Sequence, residues 1–215
     1  MPRDLTDLPW ARRLEPFEDD LRAEGDYDRT HLTGVDIADA DIGNARFVES
    51  ALTDFAMNRG SMRHTRFHDV WLRDVRWVGT ELADTVWQDA EIVAGALVGV
   101  DAGGAVLRRV RFEGCKIESV NLRSATLREV AFVDCVLRDT DFGGAKLTEV
   151  TFDGTRIDGV LLNNARLTKV DLRGAVGIDI ADGIDALRGA TITTLQLMDL
   201  APAFARATGI IVSDS

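Results

Sequence analysis

The chain has 215 residues, 46% hydrophobic and 28% charged, a balance that fits one folded domain with a sizeable core and excludes a disordered or linker-rich chain. Its net charge of −11 argues against a nucleic acid as general ligand and points to a basic protein surface instead. Two cysteines are too few for a disulfide scaffold, no run of about 18 apolar residues suggests a membrane span, and Met1-Pro2-Arg3-Asp4-Leu5-Thr6-Asp7 has no apolar signal core, so a cytoplasmic chain is expected.

Residues 1–24 lie outside the pattern that governs the rest and form a first segment. Within it, Leu14-Glu15-Pro16-Phe17-Glu18-Asp19-Asp20-Leu21 is expected to be a short helical or irregular cap. From Tyr27 to Leu172, every fifth residue is large and apolar except Ala102. The parallel series two residues earlier, every fifth position from Gly25 to Ala175, holds only Gly, Ala, Ser, Thr, Val or Cys, except at Phe55. A helix needs a period of 3.6 and a strand a period of 2, so a strict period of five fits neither. It fits a coil with short sides, in which the large residue points to the axis, the small one sits beside it and the other three face water.

Units such as Val35-Asp36-Ile37, Ala40-Asp41-Ile42, Val120-Asn121-Leu122, Thr140-Asp141-Phe142 and Val170-Asp171-Leu172 carry the pattern most clearly. The chain resembles the pentapeptide-repeat family over roughly residues 25–175. That resemblance implies an all-β fold, a right-handed quadrilateral β-helix with four units per 20-residue coil. Coils stacking at the strand spacing of about 4.8 Å would make a rod roughly 36 Å long over this span. Residues 20 apart should therefore stack, giving core columns such as Leu52-Leu72-Ile92-Phe112-Phe132-Phe152-Leu172.

Several places break the rule. Phe55 is too large for its slot and Gly60 and Gly95 follow in the small positions, which points to local repacking. Trp71 falls at an outward position and must be either exposed or covered by another segment or partner. Ala102-Gly103-Gly104 is expected to thin the core and form a bulge. Cys115 and Cys135 should stack one coil apart as free, buried thiols, because parallel side chains do not reach a disulfide torsion easily.

The pattern blurs at 176–184 and returns at Leu187 and Ile192, so a last, partly irregular coil should end near Thr194, completing a repeat region of 25–194. The remaining 195–215 segment changes period. A helix is expected at about 195–207, capped by Thr193 or Thr194 and stopped by Gly209, with Pro202 kinking or splitting it. Ile210-Ile211-Val212 suits a terminal strand. Leu195, Met198, Leu200, Phe204 and Ile210 are the candidates for contacts that cap the rod or join two copies, and the resemblance implies that C-terminal elements of this kind support a homodimer.

No catalytic, cofactor or metal constellation emerges. His64 and His68 could share a corner but suggest only a solvated pair. Asp41, Glu81, Asp101 and Asp141 fall in one outward column with Ser61 and Asn121 between them, either an acidic stripe for a basic partner or side chains bonded to local turns. Arg46 with Glu49, Arg66 with Asp69 and Lys146 with Glu149 read as ordinary surface pairs. The expected function is a non-enzymatic rod that binds or scaffolds an unknown protein. The resemblance also implies an alternative, since some bacterial members mimic DNA, bind type II topoisomerases such as DNA gyrase and alter quinolone sensitivity. Residues 25–175 hold 24 acids against 19 bases, and Arg108, Arg109 and Arg111 cluster among them, which fits a DNA mimic poorly.

Overall fold

The computed structural model describes residues 4–213; the outermost residues of the expected end segments, 1–3 and 214–215, lie outside it. The five-residue rule produces a parallel β-solenoid of about 8 turns with a single C-terminal helix. From Asp26 to Thr168 the register between paired strands is constant at 20 residues. Val106–Glu113 pairs with Val86–Val93 on one side and Thr126–Val133 on the other, joining Leu107 to Trp87 and Leu127. Residues that read as neither helix nor strand are thus a stack of short strands, each bonded only to the coils above and below.

A corner must follow each short side, and the backbone shows where. Every fifth residue from Glu24 to Lys169 has a positive φ, between 45° and 70°. Left-handed backbone favours Gly, Asn and Asp, and these occupy many corners. Others hold Arg59, Ala94, Arg109 or Lys169, so the stacked ladder imposes the turn even where the residue resists it.

The core is a set of ladders. Tyr27, Phe47, Phe67 and Trp87 stack with ring centroids 4.6, 5.2 and 3.8 Å apart, and Phe112, Phe132 and Phe152 form a second stack at 5.0 and 5.1 Å. The small slots do more than leave room. Hydroxyls of Ser50, Thr65, Thr80 and Thr155 donate to main-chain carbonyls 23 residues earlier, at 3.0–3.2 Å, which lets a polar side chain be buried at little cost.

The irregular sites resolve individually. Phe55 is fully buried in its slot, and Gly60 adopts φ +99° where a Cβ would strike the Ala40 carbonyl and the Met57 side chain. The bulge expected at Ala102-Gly103-Gly104 does not form. Ala102 and Gly104 keep their bonds to Asn121 and Arg123 of the next coil, and the missing side chain leaves a cavity of about 40 Å³ among Trp77, Leu82, Leu97 and Leu107. The ladder bonds hold the backbone in register, so the defect appears as a void and not as a kink. Cys115 and Cys135 are free and buried, with the Cys115 amide donating to the Cys135 sulfur at 3.3 Å.

The ends differ more from expectation. Residues 14–21 are not helical: Glu15–Pro16 adds a short strand beside Thr30–His31, Phe17 packs edge-on against Tyr27, and Leu21 covers the core. Residues 5–13 form two 3-10 turns that lie along the outside of the rod rather than over its end. At the other end, Gly177–Asp182 continues the stack with shifted register, and Ile184–Leu187 forms a 3-10 turn. The helix Thr194–Thr208 has Thr193 and Gln196 as a capping box and Gly209 as its left-handed stop. Pro202 sits inside it without splitting it. Ile210–Val212 forms no strand and is exposed. No helix of the described residues is long and apolar enough to cross a membrane.

Candidate partner-binding surfaces

Inward positions are consumed by packing, so recognition must use outward side chains or the ends. The predicted acidic column is a real structural line: Asp41, Ser61, Glu81, Asp101, Asn121 and Asp141 bridge one another in sequence up the rod. Most of its polar atoms are engaged locally. Asp41, Asp101 and Asp141 accept the amides of Gly43, Gly103 and Gly143 at 2.7–3.0 Å, and Asn121 accepts that of Arg123. Asp101 also takes the Asn121 amide group, and Arg123 reaches Asp141 at 3.2 Å. These aspartate and asparagine side chains fix the turns that follow them, which lowers the value of Asp41, Asp101 and Asp141 as free charges.

Other ion pairs join residues one or two apart, as Lys116 and Glu118 do, or residues 20 apart that stacked coils bring side by side; none of the expected pairs three apart forms among the described residues. Arg46 pairs with Asp26 rather than Glu49, Glu149 with Lys169 rather than Lys146, and Glu49 with Arg13 of the N-terminal segment. The arginine cluster is partly neutralised: Arg109 holds Asp89 through both carboxylate oxygens, and Arg111 holds Glu113. The Arg109 guanidinium keeps the Asp89 carboxyl below the usual range.

His64 and His68 do not act together. His64 faces Asp84 at 4.0 Å, and His68 touches Asp69 at 2.8 Å. Among the described residues, His68, Asp69 and Asp89 are the one group whose candidate ligand atoms lie within 4.8 Å of one another. Arg109 already supplies the cation on Asp89, which explains the cluster as an ion-pair network.

The largest departure from the outward rule surrounds Trp71. Ala51, Trp71 and Val93, all at outward positions, are buried beneath Leu8 and Trp10, with Leu5, Ala11 and Leu14 at the margin. Trp71 is 3% exposed, so its open alternatives resolve to cover by the chain's own N-terminal segment. The sequence signal was the vertical pair Ala51 and Trp71, one coil apart on the face where water was expected.

The C-terminal candidates divide. Leu200 is buried and Phe204 packs on the core, so these cap the rod. Leu195, Met198 and Ile210 are exposed, as are Leu197, Ile211 and Val212. Sequence reasoning missed Gln196. Its buried amide donates to the Leu172 and Ala175 carbonyls at 2.8 and 3.2 Å while its oxygen accepts the Thr193 amide, closing the last coil. The Thr193-x-x-Gln196 spacing of a capping box was the available signal.

The family model for the pentapeptide repeat region matches residues 105–176. The same five-residue register runs without insertion from Tyr27 to Leu172, so the repeat extends beyond the matched segment, and the chain contains a pentapeptide repeat region within a longer solenoid of the same period. No curated protein is significantly similar in sequence. Among solved structures, a trypsin-treated form of QnrB1, a plasmid-mediated fluoroquinolone resistance protein, is 15% identical, with 92% of this chain and 96% of that chain covered and a TM-score of 0.43. HetL, a pentapeptide repeat protein involved in heterocyst differentiation regulation from the cyanobacterium Nostoc sp., is 18% identical, with 79% and 90% covered and a TM-score of 0.30.

Proposed function

We propose that the protein is a non-enzymatic rod that binds another protein through its outward side chains, working in the cytoplasm, with no cofactor or bound metal. The observation that carries this reading is the division of labour along the coil. Inward positions make the ladders, and the rod surface that remains is an acidic face ordered by turns and inter-coil ion pairs. Such a surface is rigid before binding, which reduces the entropy lost on association, and its excess of 24 acids over 19 bases across residues 25–175 suits a basic partner. Affinity capture from the native cytoplasm tests it. Recovery of a specific protein is expected, and capture that is indifferent to charge reversal at Asp41, Glu81, Asp101 and Asp141 would remove that column from the interface.

A DNA mimic acting on a type II topoisomerase is the second reading, favoured by the rod shape and the whole-chain net charge of −11. A supercoiling assay with purified DNA gyrase separates the two: absence of inhibition or protection at micromolar protein removes the mimic. The exposed Leu195, Leu197, Met198 and Ile210–Val212 support self-association at the C-terminal end. Light scattering of the purified chain should then show a dimer that a Leu195→Ser, Met198→Ser double variant dissociates.

A further inference from the structure

The N-terminal segment is attached to the rod in a different way from everything else. Each coil is held by a ladder of main-chain bonds. Residues 5–14, by contrast, spend their main-chain bonds on themselves: Leu8 to Leu5, Ala11 to Leu8, Arg13 to Trp10 and Leu14 to Ala11. Ladder bonding to the rod begins only at Glu15, which donates to the Arg29 carbonyl at 2.9 Å. Among the described residues, side chains hold the strap: Leu8 and Trp10 on Ala51, Trp71 and Val93, with exposed ion pairs from Arg13 to Glu49 at 3.3 Å and from Asp4 to Arg73 at 3.6 Å. Its release would leave every coil bonded, so strap and rod can open separately.

The surface beneath is not a neutral one. Glu49, Asp69 and Asp89 stand in one corner column of three successive coils; Arg109, next in the column, offsets Asp89, which leaves Asp69 between two carboxylates at the coil spacing. Burial, with Asp89 and Glu49 nearby, holds the Asp69 carboxyl above its usual range, although His68 partly offsets this. Beside the column lie Trp71 and the buried carboxylate of Glu91. The strap that covers it reads Leu8-Pro9-Trp10-Ala11-Arg12-Arg13, two apolar anchors and then two cations. It fills the groove incompletely, leaving a cavity of about 300 Å³ between Trp10, Trp71, Asp69, Asp89 and Arg109.

We propose that this acidic, aromatic groove is the rod's protein-docking surface and that the N-terminal strap is an internal stand-in for the partner. The partner is a protein segment of the strap's own chemistry, a leucine or tryptophan anchor followed within about three residues by arginine. It displaces the strap and fills the space the strap leaves. The inference rests on the protein-binding reading above and assigns it a face.

The probe is a labelled ten-residue peptide with the sequence of Leu5–Leu14, titrated by fluorescence anisotropy against the full chain. The wild-type chain, with its groove occupied, should bind weakly. A Leu8→Ser, Trp10→Ser variant of the full chain should bind at least ten-fold tighter. Adding Trp71→Ser to that variant should abolish the gain, as should Arg12→Glu, Arg13→Glu in the peptide. Should the double variant lose its β circular-dichroism spectrum, Arg13→Glu in the otherwise intact chain opens one latch and should raise affinity several-fold. A folded, strap-released chain that binds no better than wild type, or binding indifferent to Trp71→Ser, overturns the proposal. A partner captured from cells equally well by the Trp71→Ser chain would leave the protein-binding reading standing and place its interface elsewhere.

Discussion

Two tryptophans in neighbouring positions of the core show how much one slot residue decides. Trp87 donates its indole N–H to Thr85, two residues earlier, at 3.0 Å. Trp77 has Val75 in the corresponding slot, and its Nε1 has no hydrogen-bond partner among the described residues. A buried donor without a partner costs about 1–3 kcal/mol. Val75→Thr places a hydroxyl where the fold already accepts one at Thr65 and Thr85, so it should stabilise the chain by about 1 kcal/mol, read as a raised midpoint in thermal unfolding. His31 gives a residue-level dependence on pH. Burial holds its pKa below the ordinary 6.5, and its ring bonds Thr53 at 2.9 Å. The folded state therefore binds its proton less readily than the unfolded state does. The stability that neutral His31 contributes is present above pH 6.5 and lost as pH falls through and below that value. Unfolding titrations should show the wild type losing stability relative to His31→Gln as pH drops from 7 to 5; parallel profiles would exclude this origin.

At the scale of an element, a defect in one ladder stays in its own coil. The cavity beside Ala102, about 40 Å³, corresponds to about 1 kcal/mol at roughly 24 cal/mol per Å³ of void. Ala102→Val should recover much of that amount in denaturant unfolding, whereas Ala102→Leu adds a third carbon and should gain less as neighbours are forced aside. The C-terminal cap makes the opposite case. Gln196 satisfies two carbonyls of the last full coil and one amide of its own helix end. Gln196→Ala should cost about 1–3 kcal/mol. It should also speed amide exchange first around Leu172–Thr191, with coils near Phe47 unaffected, because each coil is bonded only to its neighbours.

For the whole molecule, the constant 20-residue register makes length adjustable. Removing residues 121–140 would join Val120 to Asp141, and Asp141 already occupies the next rung of the column that holds Asp101 and Asn121. The shortened chain should fold, with its β spectrum kept, its strap still seated and a somewhat lower unfolding midpoint. Loss of folding would show that the coils are less interchangeable than their register implies. The same additivity explains why the ends need separate devices. A solenoid exposes apolar ladders and unpaired main-chain groups at each end. Phe17 and Leu21 cover one end, and Leu200, Phe204 and Gln196 cover the other.

The sequence by itself determined the coil, its inward and outward faces and the stacked thiols of Cys115 and Cys135 through its five-residue period, and the helix between Thr193 and Gly209 through its cap residues where that period ends. These follow from bonds between a residue and its fixed neighbours, one to five positions away in the chain or 20 away in the next coil, and spacing encodes both. The rest depended on contacts that no period describes. Whether Ala102 made a bulge or a void turned on ladder bonds competing with a missing side chain. Whether Asp101 and Asp141 were free charges turned on amides two residues ahead and side chains a coil away. That Trp71 is covered, and by Leu8 and Trp10, turned on a segment some sixty residues distant with no repeat of its own. Tertiary structure alone could place that strap, because nothing but shape and charge, matched across the rod surface, holds it there.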